Sequence, residues 1–275
     1  MFSKAKILRY SDTFLKDIAL ALKADKIAES ILLPSEISFQ INDVDVDYSL
    51  HSLFNYLQWS EFDRQGNVWS EGTYSKRFVE NLEPGDTVYD IGADHGYYSL
   101  LAATAIGTPG RVHAFEPHPA NFEAVSKNCE RNGFGDIVTP HNALITDIAG
   151  EIEYLTDNNP RQTAEKGAFS IETESIDNFS TDNPVPDVIK IDVQGGECRV
   201  LRGAKDIIDS VRPTLFVEIH NRKEVEQIGG SWEEIYSLLA EYELTRISDP
   251  WGETEAETDV SQPPTDDNLH FIMAR

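Results

Sequence analysis

Cysteine is scarce in this sequence of 275 residues, which contains only Cys129 and Cys198. Both lie in segments with a helical pattern, and their spacing is that of neither a disulfide framework nor a zinc site. We expect both side chains to be reduced and to serve as packing residues.

Long apolar segments are missing as well. The segment 1–20 is interrupted by Asp12, Lys16 and Asp17 before a signal peptide could form. No later run approaches the roughly 20 apolar residues that span a membrane. These absences predict a soluble, cytoplasmic protein with no membrane insertion.

Positive charge is the third shortage, because 23 Lys and Arg face 48 Asp and Glu and leave a formal net charge of −25. Proteins bind phosphate backbones through Lys and Arg, so this composition argues against a nucleic acid as a partner. Acidic residues occur along the whole chain, a pattern that strong ionic screening tolerates. A halophilic source is our hypothesis, and an ordinary acidic protein is the alternative.

The rest of the composition is that of a folded domain, since hydrophobic residues make up 40% of the chain and no Ser/Gly/Pro-rich linker divides it. We predict a small N-terminal extension at 1–67, with an amphipathic helix at 13–24 and a strand at 37–41. One catalytic domain at 68–275 follows it.

From Gly85 the pattern alternates between strands and helices, which is typical of an α/β fold with a doubly wound sheet. Two further segments, 151–155 and 168–176, predict an antiparallel excursion, which is a pair of antiparallel strands inserted into this series. The segments with a strand pattern are 86–92, 111–115, 136–144, 186–193, 213–219, 243–248 and 269–275. Those with a helical pattern are 73–82, 97–107, 121–133, 196–209 and 231–241.

The first strand of this series ends in Asp90-Ile91-Gly92-Ala93-Asp94-His95-Gly96 and leads directly into a helix. Glycine lets the main chain approach a ligand at the carboxyl end of a strand, where open α/β sheets bind cofactors. A dinucleotide-binding loop has three glycines spaced for a pyrophosphate, whereas Ala93 stands here in the place of a second loop glycine. The acidic Asp90 suits a cationic amino-acid moiety better than a diphosphate.

Two further positions agree with this motif in order and spacing. Glu116-Pro117 end the next strand, 24 residues after Gly92, where a carboxylate can accept hydrogen bonds from both ribose hydroxyls of an adenosine. Asn142 and Ala143 end the third strand, where a side chain and a main-chain amide can read the adenine edge. Together they favour S-adenosylmethionine over NAD, and an NAD(P)-dependent oxidoreductase is the alternative.

At this point the sequence resembles the FkbM family of methyltransferases over roughly residues 68–220. The resemblance rests on the successive motifs PGDTVYDIGADHGYYSL, VHAFEPHPANF, KNCERNG, IKIDVQGGECRVLRGA and PTLFVEIH. It implies a seven-stranded Rossmann-like methyltransferase sheet, S-adenosylmethionine as the donor, and a hydroxyl of a small molecule or glycan as the acceptor. It also adds Glu71, carried over from a Glu that precedes the first strand in the family, and Tyr98 to the candidate cofactor residues.

The sequence departs from the family pattern at two positions. Asp94 stands where the family commonly has Asn, and Gln194 stands where its KIDVEG motif has Glu. The second change removes a carboxylate beside the expected reaction centre. It therefore leaves open a third interpretation, a catalytically silent protein that binds an adenosyl group or a partner.

Four polar residues end the fourth and fifth strands of the predicted sheet, and we expect them to meet at its carboxyl edge: Lys190, Asp192, Glu218 and His220. We predict that Asp192 or His220 is the base and that Glu218 orients it. Lys190 would orient the acceptor or stabilise the alkoxide. Asp192 also counts among the residues expected to contact the cofactor.

Less specific interpretations of the same residues remain. Lys190 and Asp192 could form a buried ion pair without a catalytic role. We interpret Glu197 as a structural residue that complements a helix dipole. Asp192, Glu218 and His220 could also hold Mg²⁺, which carboxylates suit, but no spacing demands a metal and we expect no metal requirement. The acceptor and the oligomeric state are not predicted.

Overall fold

The computed structural model describes residues 36–41, 44–49, 72–155, 168–247, 257–258, 260–265 and 270–275. Two predicted features, the helix at 13–24 and residue Glu71, lie outside these residues. The division into two parts at residue 67 stays a prediction.

The described chain alternates strands and helices, and each element is named here in chain order. The strands are β1 (Glu36–Ile41), β2 (Val44–Ser49), β3 (Thr87–Ile91), β4 (Arg111–Phe115), β5 (Val138–His141), β6 (Ala143–Ile145), β7 (Gly150–Leu155), β8 (Ala168–Glu174), β9 (Val188–Ile191), β10 (Thr214–Ile219), β11 (Leu244–Ile247), β12 (Glu257–Thr258) and β13 (His270–Ala274). The helices are α1 (Gly72–Glu80), α2 (Tyr97–Ile106), α3 (Pro119–Arg131), α4 (Ile176–Asp182), α5 (Glu197–Arg202), α6 (Lys205–Ser210), α7 (Arg222–Gln227) and α8 (Trp232–Leu238).

The main sheet has the spatial order β12-β11-β13-β10-β9-β3-β4-β5. Strands β10, β9, β3, β4 and β5 are parallel, and β13 is antiparallel to both of its neighbours. The sheet therefore has seven principal strands and a two-residue edge strand, β12. This arrangement confirms the predicted doubly wound α/β sheet.

Two large apolar clusters form the core and explain why the central strands are largely apolar. One cluster contains Val88, Val112 and Phe216, and the other contains Tyr89, Ile189 and Leu215. Adjacent residues of a strand point to opposite faces of its sheet. Both faces of the sheet are therefore covered, as a parallel sheet requires.

The hairpin of β1 and β2 belongs to this packing. Val46 and Tyr48 are buried in the same cluster as Phe216. Beside them, Asp47 donates its main-chain N–H to the side chain of Asn132 at 2.8 Å, and Asn132 Nδ2 donates back to Asp47 O at 2.7 Å. Part of the predicted N-terminal extension thus packs directly on the main domain.

The predicted strand at 136–144 is wrong in one respect, because it is divided between two sheets. Residues Val138–His141 form β5, whereas Ala143–Ile145 form β6 and pair with β8 in a separate three-stranded sheet. The break falls at Asn142, whose Nδ2 donates to the main-chain oxygens of Glu116 and Pro117 at 2.9 and 3.0 Å. The antiparallel pairing of β7 with β8 confirms the predicted excursion.

The predicted helix at 196–209 is also divided, into α5 and α6. Gly203 lies between them, and a Cβ at this position would lie 2.2 Å from the main-chain oxygen of Thr146. The helix therefore ends where the chain passes close against the neighbouring segment. Between β10 and α8, the short helix α7 begins after Asn221, whose side chain accepts a hydrogen bond from Glu224 N.

Cys129 and Cys198 are buried free thiols, as expected of packing residues. None of the helices in the described ranges has the length and apolar character needed to cross a lipid bilayer.

Candidate active site

The loop after β3 is held against the two neighbouring strands. Gly92 N and Ala93 N both donate to Phe115 O at 3.0 Å, which ties the loop to the end of β4. Gly92 has a φ of 78°, and a Cβ at this position would lie 1.8 Å from Asp192 O. Only glycine fits here, so the cofactor motif and the segment after β9 are in direct contact.

Glu116 lies at the end of β4, where the sequence predicts a ribose-binding carboxylate, and is 5% exposed. Its Oε2 accepts Asp94 N at 2.9 Å and its Oε1 accepts His118 N at 2.9 Å. A carboxylate has about four lone-pair positions, so about two remain after these bonds. That number fits the two hydroxyl donors of a ribose.

Burial, followed by the negative charge of Asp94, raises the pKa of Glu116 to about 8, although the two main-chain N–H groups oppose this shift. A ligand that donates hydroxyl hydrogen bonds favours the ionised form of such a group. The chemistry around Glu116 therefore matches the adenosyl group of S-adenosylmethionine.

Asp90 and Lys190 occupy neighbouring positions in the paired strands β3 and β9. Lys190 Nζ lies 3.5 Å from Asp90 Oδ1, donates to Gly92 O at 3.0 Å, and lies 4.9 Å from the ring centre of Tyr98. Ser99 Oγ donates to Asp90 Oδ2 at 2.6 Å. Because Asp90 and Lys190 are buried, these contacts fix the base of the cofactor loop.

Asp94 has a φ of 49°, a left-handed conformation that Asp and Asn tolerate better than other residues. Its carboxylate accepts Asn121 Nδ2 at 3.0 Å and lies 2.7 Å from His95 Nδ1. The departure from Asn at this position therefore preserves the conformation of the loop.

Four of the residues predicted to contact the cofactor lie around this loop at the ends of β3, β4 and β5: Ala93, Gly96, Pro117 and Ala143. The side-chain amide nitrogen of Asn142 is engaged by main-chain oxygens, so this residue also shapes the chain after β4. Tyr74 is fully buried beside this group, with its ring 6.0 Å from that of Tyr98. The contacts of all these residues with a cofactor stay predictions.

The second group of predicted residues meets at the ends of β9 and β10. His220 Nε2 lies 3.8 Å from Asp192 Oδ1 and 3.8 Å from Glu218 Oε1. His220 and Glu218 are buried, whereas the side chain of Asp192 is 24% exposed. Lys190 Nζ lies 3.8 Å from Asp192 Oδ2 and so connects this group to the cofactor loop.

Glu197 begins a helix as predicted, but it also makes a contact with His220 that the sequence did not reveal. It is fully buried at the start of α5, and its Oε1 accepts both His220 Nδ1 at 2.8 Å and Gly195 N at 3.0 Å. The expected orienting residue, Glu218, has no comparably short contact to His220. The sequence signal was an acid two residues after Gly195, which a helix dipole also explains.

Glu197 also affects the pKa of His220. Burial alone would lower the pKa of His220, but the hydrogen bond and the charge of Glu197, together with the charges of Asp192 and Glu224, outweigh it, so the pKa is raised. The main chain is fixed at the same point, because Trp232 Nε1 donates to His220 O at 2.7 Å. The imidazole is thereby held with its Nε2 directed towards Asp192 and Glu218.

Comparison with known families agrees with this arrangement. The sequence model of the methyltransferase FkbM domain matches residues 90–244, which is more than half of the chain. The chain belongs to the FkbM methyltransferase family. Membership makes S-adenosylmethionine its cofactor and places it among methyltransferases rather than nicotinamide-dependent oxidoreductases.

Individual members of the family are similar at modest identity. Hexuronic acid methyltransferase AglP of Haloferax volcanii is 29% identical over 197 residues, covering 70% of this chain and 77% of the relative. The 31-O-demethyl-FK506 methyltransferase FkbM of Streptomyces tacrolimicus is 26% identical over 223 residues, covering 66% of this chain and 81% of the relative.

Among solved structures, methyltransferase FkbM from Methylobacillus flagellatus aligns with a TM-score of 0.46 and 15% identity. The alignment covers 82% of this chain and 56% of that protein.

Proposed function

We propose that this methyltransferase transfers a methyl group to a hydroxyl oxygen of a small molecule or glycan. The observation that carries the proposal is the direct contact of two sites. The segment after β9, which carries Asp192, touches the cofactor loop at Gly92. The names of two relatives, which refer to a hexuronic acid and to 31-O-demethyl-FK506, support this class of acceptor.

S-adenosylmethionine, when bound, supplies a methyl group that its sulfonium makes electrophilic, and S-adenosylhomocysteine and the hydroxyl proton are the other products. Glu116 would accept the two ribose hydroxyls, since its remaining lone pairs match that task. Gly92, Ala93 and Gly96 would line the cofactor with main chain. Lys190 would keep this loop in place through its bond to Gly92 O.

The acceptor hydroxyl would lie against Asp192 and His220. Hydroxyls are weak acids, so the proton must leave as the new bond to carbon forms, and Asp192 or His220 would receive it. Glu197 holds the opposite nitrogen of His220, which makes it the positioning residue of this pair. Alignment of the acceptor oxygen at about 3 to 3.5 Å from the methyl carbon would supply much of the rate.

The first experiment is a calorimetric titration of the purified protein with S-adenosylhomocysteine, with NAD as the comparison and Glu116→Ala as the variant. We expect binding of S-adenosylhomocysteine that Glu116→Ala abolishes. A preference for NAD would contradict the assignment of this loop.

The second experiment measures methyl incorporation into a panel of acceptors that includes hexuronic acid glycosides. We expect His220→Ala to lower kcat about 100-fold with unchanged affinity for S-adenosylhomocysteine, because a positioned base contributes about 100-fold or more. Cofactor binding without turnover on any acceptor would instead favour the silent adenosyl-binding protein.

A further inference from the structure

Three potential ligand atoms meet at the carboxyl edge of β9 and β10. One atom each from Asp192, Glu218 and His220 lie within 4.8 Å of one another. Two of the three distances, from His220 Nε2 to each carboxylate, are 3.8 Å. Ligands bound at about 2.1 Å to one ion lie at most about 4.2 Å apart, so only a small movement of Asp192, whose side chain is 24% exposed, closes the set.

The atoms themselves point to a missing partner. His220 Nε2 and Asp192 Oδ1 are buried atoms for which the described residues supply no hydrogen-bond partner. Burying such a group without a partner is costly, so an atom or ion from outside the chain is expected between them. The side chain of His220 is only 1% exposed, and its Nε2 faces both carboxylates.

The opposite nitrogen of His220 is arranged as in metal sites. Metal-binding histidines usually donate their second ring N–H to a carboxylate, which fixes the tautomer and leaves the other nitrogen as the ligand. Glu197 Oε1 accepts that bond from His220 Nδ1 at 2.8 Å, and Gly195 N holds the carboxylate in turn at 3.0 Å.

The charges around this point also favour a cation. Four carboxyl groups, those of Asp90, Asp192, Glu197 and Glu218, surround one lysine and one histidine. The lysine, Lys190, already donates to Gly92 O and lies nearer to Asp90 than to Asp192. A further positive charge between Asp192 and Glu218 would therefore be favoured.

We propose that Asp192, Glu218 and His220 hold one divalent transition-metal cation at the site where the acceptor oxygen binds. One imidazole and two carboxylates suit Mn²⁺, Fe²⁺ or Zn²⁺ better than Mg²⁺ or Ca²⁺, which prefer oxygen ligands alone. Three protein ligands leave coordination positions open for an acceptor.

The role of the cation rests on the proposed methyl transfer, whereas the metal site itself does not. An oxygen bound to such a cation has a lowered pKa, so the acceptor hydroxyl would lose its proton to solvent before its oxygen bonds to the methyl carbon. Asp192 and His220 then act as ligands of the cation rather than as a free base.

The test is a titration of the chelator-treated protein with Mn²⁺ in molar KCl, in which electron paramagnetic resonance measures the bound and free ion. We expect one site per chain, weakened at least about tenfold in Asp192→Asn. Glu172→Gln is the matched control, because Glu172 is an exposed acid on the three-stranded sheet and its loss should leave the affinity unchanged. Glu218→Gln repeats the test should Asp192→Asn melt at a lower temperature than the wild type.

Equal Mn²⁺ binding by the wild type, Asp192→Asn and Glu218→Gln would overturn the metal site, since it would indicate binding to surface acids. Full methyl transfer in excess chelator, together with the absence of a Mn²⁺ site, would overturn the proposed cation site. The proposed reaction would then proceed with Asp192 or His220 as a free base. A specific Mn²⁺ site without methyl transfer would support the cation and count against the proposed reaction.

Discussion

The cofactor half and the acceptor half of the site differ in how their buried polar groups are hydrogen-bonded. On the cofactor side, Glu116 is held by two main-chain N–H groups, and the loop at Gly92 and Ala93 is tied to Phe115 O. On the acceptor side, His220 Nε2 and Asp192 Oδ1 have no hydrogen-bond partner among the described residues. Asp90 Oδ1 in the first half also lacks a hydrogen bond, but it lies 3.5 Å from Lys190 Nζ, whereas the unpaired atoms of the second half lie where the chemistry is proposed.

The strongest test of this comparison is Gly92→Ala, because Gly92 is the point where the two halves touch. The new Cβ would lie 1.8 Å from Asp192 O at a φ of 78°. We expect loss of S-adenosylhomocysteine binding and a large fall in melting temperature, measured by calorimetry. The left-handed backbone alone accounts for about 1 to 3 kcal/mol.

Gly133→Ala is the matched control for that variant. Gly133 has a φ of 72°, but a Cβ there would meet nothing within 4 Å. It should therefore reveal the cost of the backbone conformation alone. Equal destabilisation by both variants would mean that the two halves are not closely packed at Gly92.

A change confined to the acceptor half should affect turnover and spare cofactor binding. Glu197→Gln keeps an oxygen acceptor for His220 Nδ1 but removes the charge, and we expect kcat to fall about tenfold with KM nearly unchanged. Steady-state kinetics with labelled S-adenosylmethionine measure both constants. A fall in S-adenosylhomocysteine affinity of the same size would show that Glu197 supports the whole site instead.

The smallest expected effect is a pH dependence confined to the cofactor half. The pKa of Glu116 is raised to about 8, so its ionised fraction grows as the pH rises through that value. Ribose hydroxyls donate to the ionised form, and affinity for S-adenosylhomocysteine should therefore increase several-fold from about pH 7 to about pH 9. Isothermal titration at each pH provides the measurement.

Glu116→Gln controls for the titration of the ligand itself, since glutamine cannot ionise. The difference between wild type and variant isolates the carboxylate. Parallel pH profiles of the two proteins would rule out Glu116 as the titrating group.

The same contrast explains how much the sequence predicted. The strand and loop around Asp90 and Gly92 were predicted because the apolar run, the glycines and the following helix are adjacent in sequence. Glu116 was placed by its distance along the chain and the alternation of elements. Both inferences depend on local patterns, which a single sequence carries.

The acceptor half depends on contacts between distant segments. Glu197 precedes His220 by 23 residues, and its role follows only from the packing of α5 against β10. The break at Asn142 was missed for the same reason, because the oxygens that bind its side chain belong to Glu116 and Pro117. The periodicity of apolar residues does not show which main-chain oxygens, distant in sequence, accept a hydrogen bond from a given side chain.

The position of β13 between β10 and β11 has a consequence for synthesis of the chain. During translation β11 leaves the ribosome before the strand that joins it to the sheet, so β10 keeps an unpaired edge until residues 270–274 emerge. An exposed strand edge can pair with other chains. Nascent copies can therefore associate with one another through β10 during this interval.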